Sequence, residues 1–270
     1  MLVQTNSALP QISNELKFVL NCTNNSEIKD QDLITALDWD KVLTLAYTHG
    51  FYPIIYNAIK QLNNARIPDC VMSNLKHCYI KNVFKTMSLA DEIVRITRDL
   101  NNNDVKSFIL KGPPLSIKTN EDITLRPSND IDILVDPLEF NRAEKTLEQL
   151  DYIRISPAFP LTPRQKKFFF RHDHHFEYYN HKRATLVELH WRIRSYNIKR
   201  FPSAFDLNAQ NIILLEYPVS VMDDEYWFVY LMVHGYKHMW ARLRWLYDLK
   251  RLMNITLDWD KIILIADKSE

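Results

Sequence analysis

The run from Ser107 to Val135 reads S-F-I-L-K-G-P-P-L-S-I-K-T-N-E-D-I-T-L-R-P-S-N-D-I-D-I-L-V. It opens with a short apolar segment ending at Lys111-Gly112, crosses a polar connection, and closes on the alternation Asp130-Ile131-Asp132-Ile133-Leu134-Val135. Residues two apart in a strand share a face, so Asp130 and Asp132 point one way while Ile131, Ile133 and Val135 point the other. One face is apolar enough to join a core, and the other presents two acids side by side. Like charges held that close repel unless something positive sits between them, which is the condition a divalent metal satisfies. Alone, the pattern is more often solvated surface. The rest of the chain has to decide.

Downstream, Thr185–Ile193 repeats the alternation: Glu188, His190 and Arg192 share one face, and Val187, Leu189, Trp191 and Ile193 the other. With the segment Phe168–Tyr179 and the turn Asn180-His181-Lys182-Arg183, it predicts an antiparallel hairpin. Between these stretches, Phe140, Ala143, Leu147 and Leu150 predict a helix opened by Pro137 and Glu139, followed by a short strand at Tyr152–Ile155. Upstream, residues 30–101 carry only helical periodicity. One helix is capped by Asp38 and stopped at His49-Gly50, a second follows Pro53, and a long one runs from about Pro68 to Asn101. Beyond a loop holding Pro202 and Pro218, helices are expected at Asp223–Met239, Ala241–Met253 and Asp258–Asp267. The expected class is α+β, a mixed sheet flanked by helical segments, in three parts: 1–103 helical, 104–200 α/β core, 201–270 helical. Asp38-Trp39-Asp40-Lys41 recurs as Asp258-Trp259-Asp260-Lys261. Shared helix-start chemistry, an Asp cap with an acidic first turn, accounts for that echo.

Composition narrows the function classes. A formal net charge of +1 gives no global field for nucleic acid or anionic membrane, so any electrostatic site is local. Only three glycines are present, with no G-x-G-x-x-G and no G-x-x-x-x-G-K, so Gly-rich phosphate loops are not expected. Three cysteines without C-x-x-C spacing read as reduced thiols. The first ten residues lack the basic and apolar regions of a signal peptide, and no apolar run reaches the ~18 residues of a membrane span, so a cytoplasmic protein is expected.

A strand with Asp-apolar-Asp, preceded by a strand, a Gly turn and a helix, resembles the core of the DNA polymerase beta-type nucleotidyltransferases. More specifically the chain resembles their uncharacterised nucleotidyltransferase family. The resemblance is carried in order by Leu110-Lys111-Gly112, Leu125-Arg126-Pro127, Asp130 to Val135, Val187-Glu188-Leu189-His190-Trp191, His234-Gly235-Tyr236-Lys237-His238 and Leu243 to Asp248, within roughly residues 40–268. It implies a magnesium-dependent enzyme that transfers a nucleoside monophosphate from an NTP such as ATP to a hydroxyl of an unknown small-molecule, protein or RNA acceptor. Asp130, Asp132 and Glu188 match the three carboxylates that hold two Mg2+ ions, the Asp pair bridging both and Glu188 serving the nucleophile side.

One departure stands out. Family members usually follow the helix-opening Gly with Ser or Gly, whereas here Pro113 and Pro114 follow Gly112 and neither has an N–H. The triphosphate would then be held by the Gly112 amide, Lys111, Lys118 or Arg126. Arg126 is equally readable as a structural partner of Asp130. Lys237, Arg242 and Arg244 are readable as solvated face or triphosphate clamp, Lys237 and Arg244 evenly so. His190 is read as structural or substrate-facing. His172, His174 and His175 lie beside Asp173, and His172 and His174 fit one strand face, but no Cys or matched His pair completes a zinc site. Two rival functions remain: a non-catalytic member acting as a binding or regulatory protein, for which Pro113-Pro114 speaks, and a toxin-like enzyme acting on tRNA ends, against which the near-neutral charge speaks. The chain ends just after a helix that relatives commonly extend beyond, so truncation is one expectation.

Overall fold

The computed structural model describes residues 12–24, 34–62, 66–193 and 209–267. The N-terminal residues 1–10, the loop at Pro202, the 200/201 boundary and the final Lys268-Ser269-Glu270 lie outside them. The chain forms two compact units, Met1–Lys81 and Asn82–Glu270.

The first unit is helical. α1 (Asn14–Thr23) starts where the Ser13 hydroxyl accepts from the Leu16 amide. α2 (Trp39–Thr48) starts where the Asp38 carboxylate accepts from the Lys41 amide at 3.2 Å. Its end at His49 is followed by Gly50 at φ 69, the left-handed conformation that glycine adopts without a Cβ penalty. α3 (Tyr52–Leu62) presents Ile55 and Ile59 to a core shared with Phe18, Val19, Val42 and Ala46, all fully buried. The long α4 (Asp69–Asn102) carries the boundary between the units within it.

The second unit is built on a five-stranded sheet. β1 (Ser107–Ile109), β2 (Asp130–Val135), β3 (Ile153–Ser156), β4 (His175–Asn180) and β5 (Thr185–His190) lie in the order β1-β2-β5-β4-β3. Only β2 and β5 are parallel; the other pairs are antiparallel, so the sheet is mixed. α5 (Pro113–Asn120) and α6 (Phe140–Gln149) fill the connections around β2. On the apolar side, Ile131, Val187 and Tyr178 form one cross-strand row and Ile133, Leu189 and Phe176 the next; all six are buried. Phe140 of α6 closes this side edge-to-face against Phe170, Phe176 and Trp191, with centroids 4.9, 5.7 and 5.3 Å away.

Two expectations are corrected. The first hairpin arm does not begin at Phe168: α7 (Pro163–His172) is a helix, and its capping box places Thr162 on the Gln165 amide and Gln165 on the Thr162 amide. The cap overrode the β-propensity of the Phe168-Phe169-Phe170 run, and His172 is therefore the last helical residue, not on a strand face with His174. The region after 200 is also not helical throughout. β6 (Ala209–Leu214) and β7 (Tyr217–Met222) form a separate two-stranded antiparallel sheet. Its turn uses Leu215 and Glu216 at φ 47 and 64, without the Gly or Asn that marks such turns in sequence, and Pro218 sits inside a strand. α8 (Asp224–Lys237), α9 (Leu243–Leu252) and α10 (Trp259–Asp267) follow. Among the described residues no helix is long and apolar enough to cross a membrane.

The D-W-D-K echo extends further than helix starts. Asp38 caps α2 while its own amide donates to Glu15 at 3.3 Å, and Trp39 packs edge-on to Phe18 at 5.6 Å. Asp258 caps α10 while its amide donates to Glu225 at 3.2 Å, and Trp259 packs edge-on to Phe228 at 5.6 Å. Each D-W-D-K start thus docks on an E-x-x-F helix. The partner half of the pattern lies 23 and 33 residues upstream, too far for a local reading to join the two.

Candidate active site

The polar side of the sheet is set by register. Asp132 lies directly opposite Glu188 across the parallel β2–β5 pair, and Glu188 directly opposite Glu177 across β5–β4. One row further on, His190 lies opposite His175. Cross-strand partners point to one face, so three acids from three strands form a row with Asp130 at its near end and two imidazoles at its far end. The Lys111 ammonium, at the end of the β1 segment, lies 3.3 Å from Asp130 Oδ2 and 3.1 Å from Asp132 Oδ2. His190 Nε2 lies 3.2 Å from Glu188 Oε2 and 3.5 Å from Asp132 Oδ1.

Two cavities open on this row. One of about 290 Å³ runs along the row, roofed by Tyr230, Val233, His234 and Lys237 of α8. The other, about 300 Å³, is cationic: Lys111, Arg126, Arg242 and Arg244 line it, with Asp130 and the ring of Trp245. Lys111, Asp130, His234 and His238 border both. Carboxylates converging from two strands next to a four-cation cavity is an arrangement for handling a polyanion at a metal centre.

A family described as uncharacterised nucleotidyltransferase matches residues 35–270. The chain belongs to that family. Membership makes it a nucleotidyltransferase, an enzyme that moves nucleotidyl groups. No curated protein matches it. Among solved structures it is similar to ANT(2'')-Ia in complex with adenylyl-2''-tobramycin, at 13% identity and a TM-score of 0.46, covering 66% of this chain and 95% of that one. It is also similar to an antigenic nucleotidyltransferase-like protein from Paracoccidioides brasiliensis, at 14% identity and a TM-score of 0.42, covering 63% and 77%. A solution structure of the antibiotic-resistance factor ANT(2'')-Ia is similar at 12% identity and a TM-score of 0.41, covering 68% and 90%.

In this nucleotidyltransferase the electrostatics of the row follow from burial and proximity. Burial, then the like charge of Asp132, pushes the Asp130 carboxyl up, with Lys111 opposing. Burial also works against the charge on Lys111, but Asp132 and Asp130 more than offset it and hold the ammonium protonated. Burial raises Glu188, yet the His190 bond and the charges of His190, His175 and Lys111 outweigh it and leave the carboxyl well below its usual range. The same bonds, to Asp132 and Glu188, lift His190 against its own burial. Burial, then Lys111, lowers His234 to about 3, so it is neutral at pH 7.

The carboxylates suit a hard divalent cation. Asp132 is only 2% exposed, and its Oδ2 accepts no hydrogen bond among the described residues although Lys111 is within ion-pairing distance. A buried carboxylate oxygen with a lone pair left over, beside a second acid, offers an oxygen ligand set of the kind Mg2+ takes.

Of the other sequence candidates, Gly112 caps α5 at φ 86 and ψ −145, a backbone conformation only glycine holds easily; a Cβ there would meet nothing closer than Ser128 Oγ at 3.8 Å. Conformation, not space, requires glycine. Arg126 does not pair with Asp130. It is buried on Asp248 of α9, with Nε and one terminal nitrogen each 3.0 Å from Oδ2, while still lining the cationic cavity. Arg244 lines the same cavity. Lys237 lines the other one and donates to His174 Nε2 at 3.3 Å. Lys118 is turned away, paired with Asp224 at 2.9 Å. Sequence reasoning missed Glu177 and Tyr230 as site residues, and weighed His175 only for a zinc site that it set aside. For Glu177 and His175 the signal was there: H-F-E-Y-Y alternates buried Phe176 and Tyr178 with polar neighbours, as β2 and β5 do. Arg242, read with Lys237 and Arg244 as solvated face or triphosphate clamp, lines the cationic cavity and precedes α9, just after the Trp240 ring. That ring packs on Gly235 so tightly that a Cβ would lie 2.2 Å from it.

Proposed function

We propose that this enzyme transfers a nucleoside monophosphate from a magnesium-bound NTP, with ATP as the first candidate, to a hydroxyl of a small-molecule, protein or RNA acceptor. The single supporting observation is the convergence of Asp130, Asp132 and Glu188 beside the cationic cavity. Asp130 and Asp132 on β2 and Glu188 on β5 would hold two Mg2+ ions, which supply, when bound, polarisation of the α-phosphate and a lowered pKa for the attacking hydroxyl. Lys111, Arg126, Arg242 and Arg244 offset the triphosphate charge, in place of the backbone amides that Pro113 and Pro114 lack. Trp245, braced against His234 and His238 at 5.5 and 5.3 Å, offers a ring face for a base. Glu188, held by His190 at 3.2 Å, would orient the acceptor hydroxyl on the nucleophile side. The acceptor enters along the His175, Glu177 and Lys237 end of the first cavity. A cytoplasmic setting, where NTP is abundant and Cys22, Cys70 and Cys78 stay free thiols, completes the proposal.

The test is transfer from labelled NTP into a metabolite and RNA extract, which also identifies the acceptor. Asp130→Asn and Asp132→Asn are expected to bring transfer to background with the circular dichroism spectrum unchanged. Turnover retained in either would remove it from the catalytic centre. Glu188→Gln should cost rate more than metal affinity. Calorimetry with Mg2+ and ATP showing no heat in either order of addition would sink the proposal outright.

A further inference from the structure

We infer that His174, His175 and His190 form a second, nitrogen-rich cation site that takes a transition-metal ion such as Zn2+ or Co2+, next to the acidic row and sharing His190 with it. The topology builds it. β4 begins at His175 directly after His174, β5 ends at His190, and the antiparallel register places His175 opposite His190. The Trp191 amide donates to the His174 carbonyl at 3.0 Å, which ties the residue just before β4 to the end of β5. Ring centroids stand 4.4 Å apart for His174–His175, 4.8 Å for His175–His190 and 5.7 Å for His174–His190. One donor nitrogen from each lies within 4.8 Å of the others. A tetrahedral zinc with ~2.0–2.1 Å bonds needs its nitrogens about 3.3 Å apart, a gap that side-chain rotation closes.

Three further features point to a cation there. Asp173 Oδ1 holds His174 Nδ1 at 2.9 Å, the carboxylate–imidazole arrangement that fixes the tautomer and turns Nε2 outward as a lone pair. His175 Nδ1 is buried with no hydrogen-bond partner among the described residues. Glu177 and Glu188 each bring an oxygen within the same 4.8 Å limit of His175, so a fourth ligand is at hand. Softness separates the two sites. Mg2+ takes oxygen ligands and dehydrates reluctantly, whereas three imidazoles select zinc, cobalt, nickel or copper. The Lys237 ammonium on His174 Nε2 is the cation such an ion would displace. His190 is common to this set and to the acidic row, so an ion here draws it away from Asp132 and Glu188.

The site stands independently of the nucleotide assignment, and its test does too. Full-length protein stripped with chelator and saturated with Mg2+ is titrated with Co2+. The expected result is one equivalent bound, with the visible absorption of low-coordinate cobalt, and displacement by Zn2+. The band persists in Asp130→Asn, is weakened at least about tenfold in apparent affinity in His175→Ala, and is strengthened in Lys237→Met. Should His175→Ala fail to fold, His174→Ala takes its place. No band in the Mg2+-saturated protein, a band that Mg2+ or Asp130→Asn abolishes, or one untouched by loss of the imidazole would each overturn the inference.

Discussion

Lys111 places its positive charge between Asp130 and Asp132, at 3.3 and 3.1 Å, and this fixes what its removal does. A metal ion must compete with that ammonium for both carboxylates. Lys111→Met should therefore tighten Mn2+ binding about tenfold, since a hydrogen bond to a charged group contributes roughly 1.5–3 kcal/mol, while transfer from NTP falls. Electron paramagnetic resonance of free Mn2+ measures the first and product formation the second. Weaker Mn2+ binding in the variant would mean that Lys111 organises the acids more than it competes for them. Asp130 and Asp132 were legible in sequence because a strand's two-residue period is visible in six letters. Their relation to Glu188 was implied only by the family resemblance and not by any local period, since register between β2 and β5 depends on every residue in between.

At the scale of elements, α9 is fastened to the rest of its unit by polar contacts that no periodicity announces. Tyr247 donates to Asn120 at 3.0 Å, Arg251 donates to the Thr119 carbonyl at 2.5 Å, and Arg126 is buried against Asp248, which is fully buried. Taking away one member of a buried pair strands the other charge. Asp248→Ala is expected to destabilise the protein by about 3–5 kcal/mol, read by urea unfolding, and to weaken NTP binding because Arg126 loses its fixed position in the cationic cavity. A cost under ~1 kcal/mol, the range of exposed pairs, would show that water reaches the pair. The helix α7 and the hairpin β6–β7 teach the same lesson from the other side. Aromatic β-formers lost to a capping box, and a turn of Leu215 and Glu216 formed without its customary residues.

For the molecule as a whole, Glu92 is a point where distant parts of one unit meet. On α4, 1% exposed, it accepts from Arg95 and from the Tyr152 hydroxyl at 2.6 Å, with Arg183 of the β4–β5 turn 3.7 Å away. Burial alone would raise its carboxyl, but the Arg95 and Tyr152 bonds and the charges of Arg95 and Arg183 hold it below its ordinary 4.5. A depressed folded value means the stabilisation is complete above the ordinary value and disappears as pH falls through the lowered one. Urea midpoints should thus hold steady down to about pH 5 and drop below it, and the acid drop should shrink in Glu92→Gln, although that variant is less stable at pH 7. An equal acid drop in both would assign it to other carboxylates. By itself the sequence determined which faces are apolar, where most helices start, and which acids would share a strand face, because each depends on neighbours within a turn or a pleat. Only the tertiary structure decided that Asp132 and Glu188, grouped beforehand by resemblance alone, are direct cross-strand partners, that Arg126 turns to Asp248, and that His174 and His175 stand against His190. Those meetings are set by register and packing between residues tens of positions apart, and no local period encodes them.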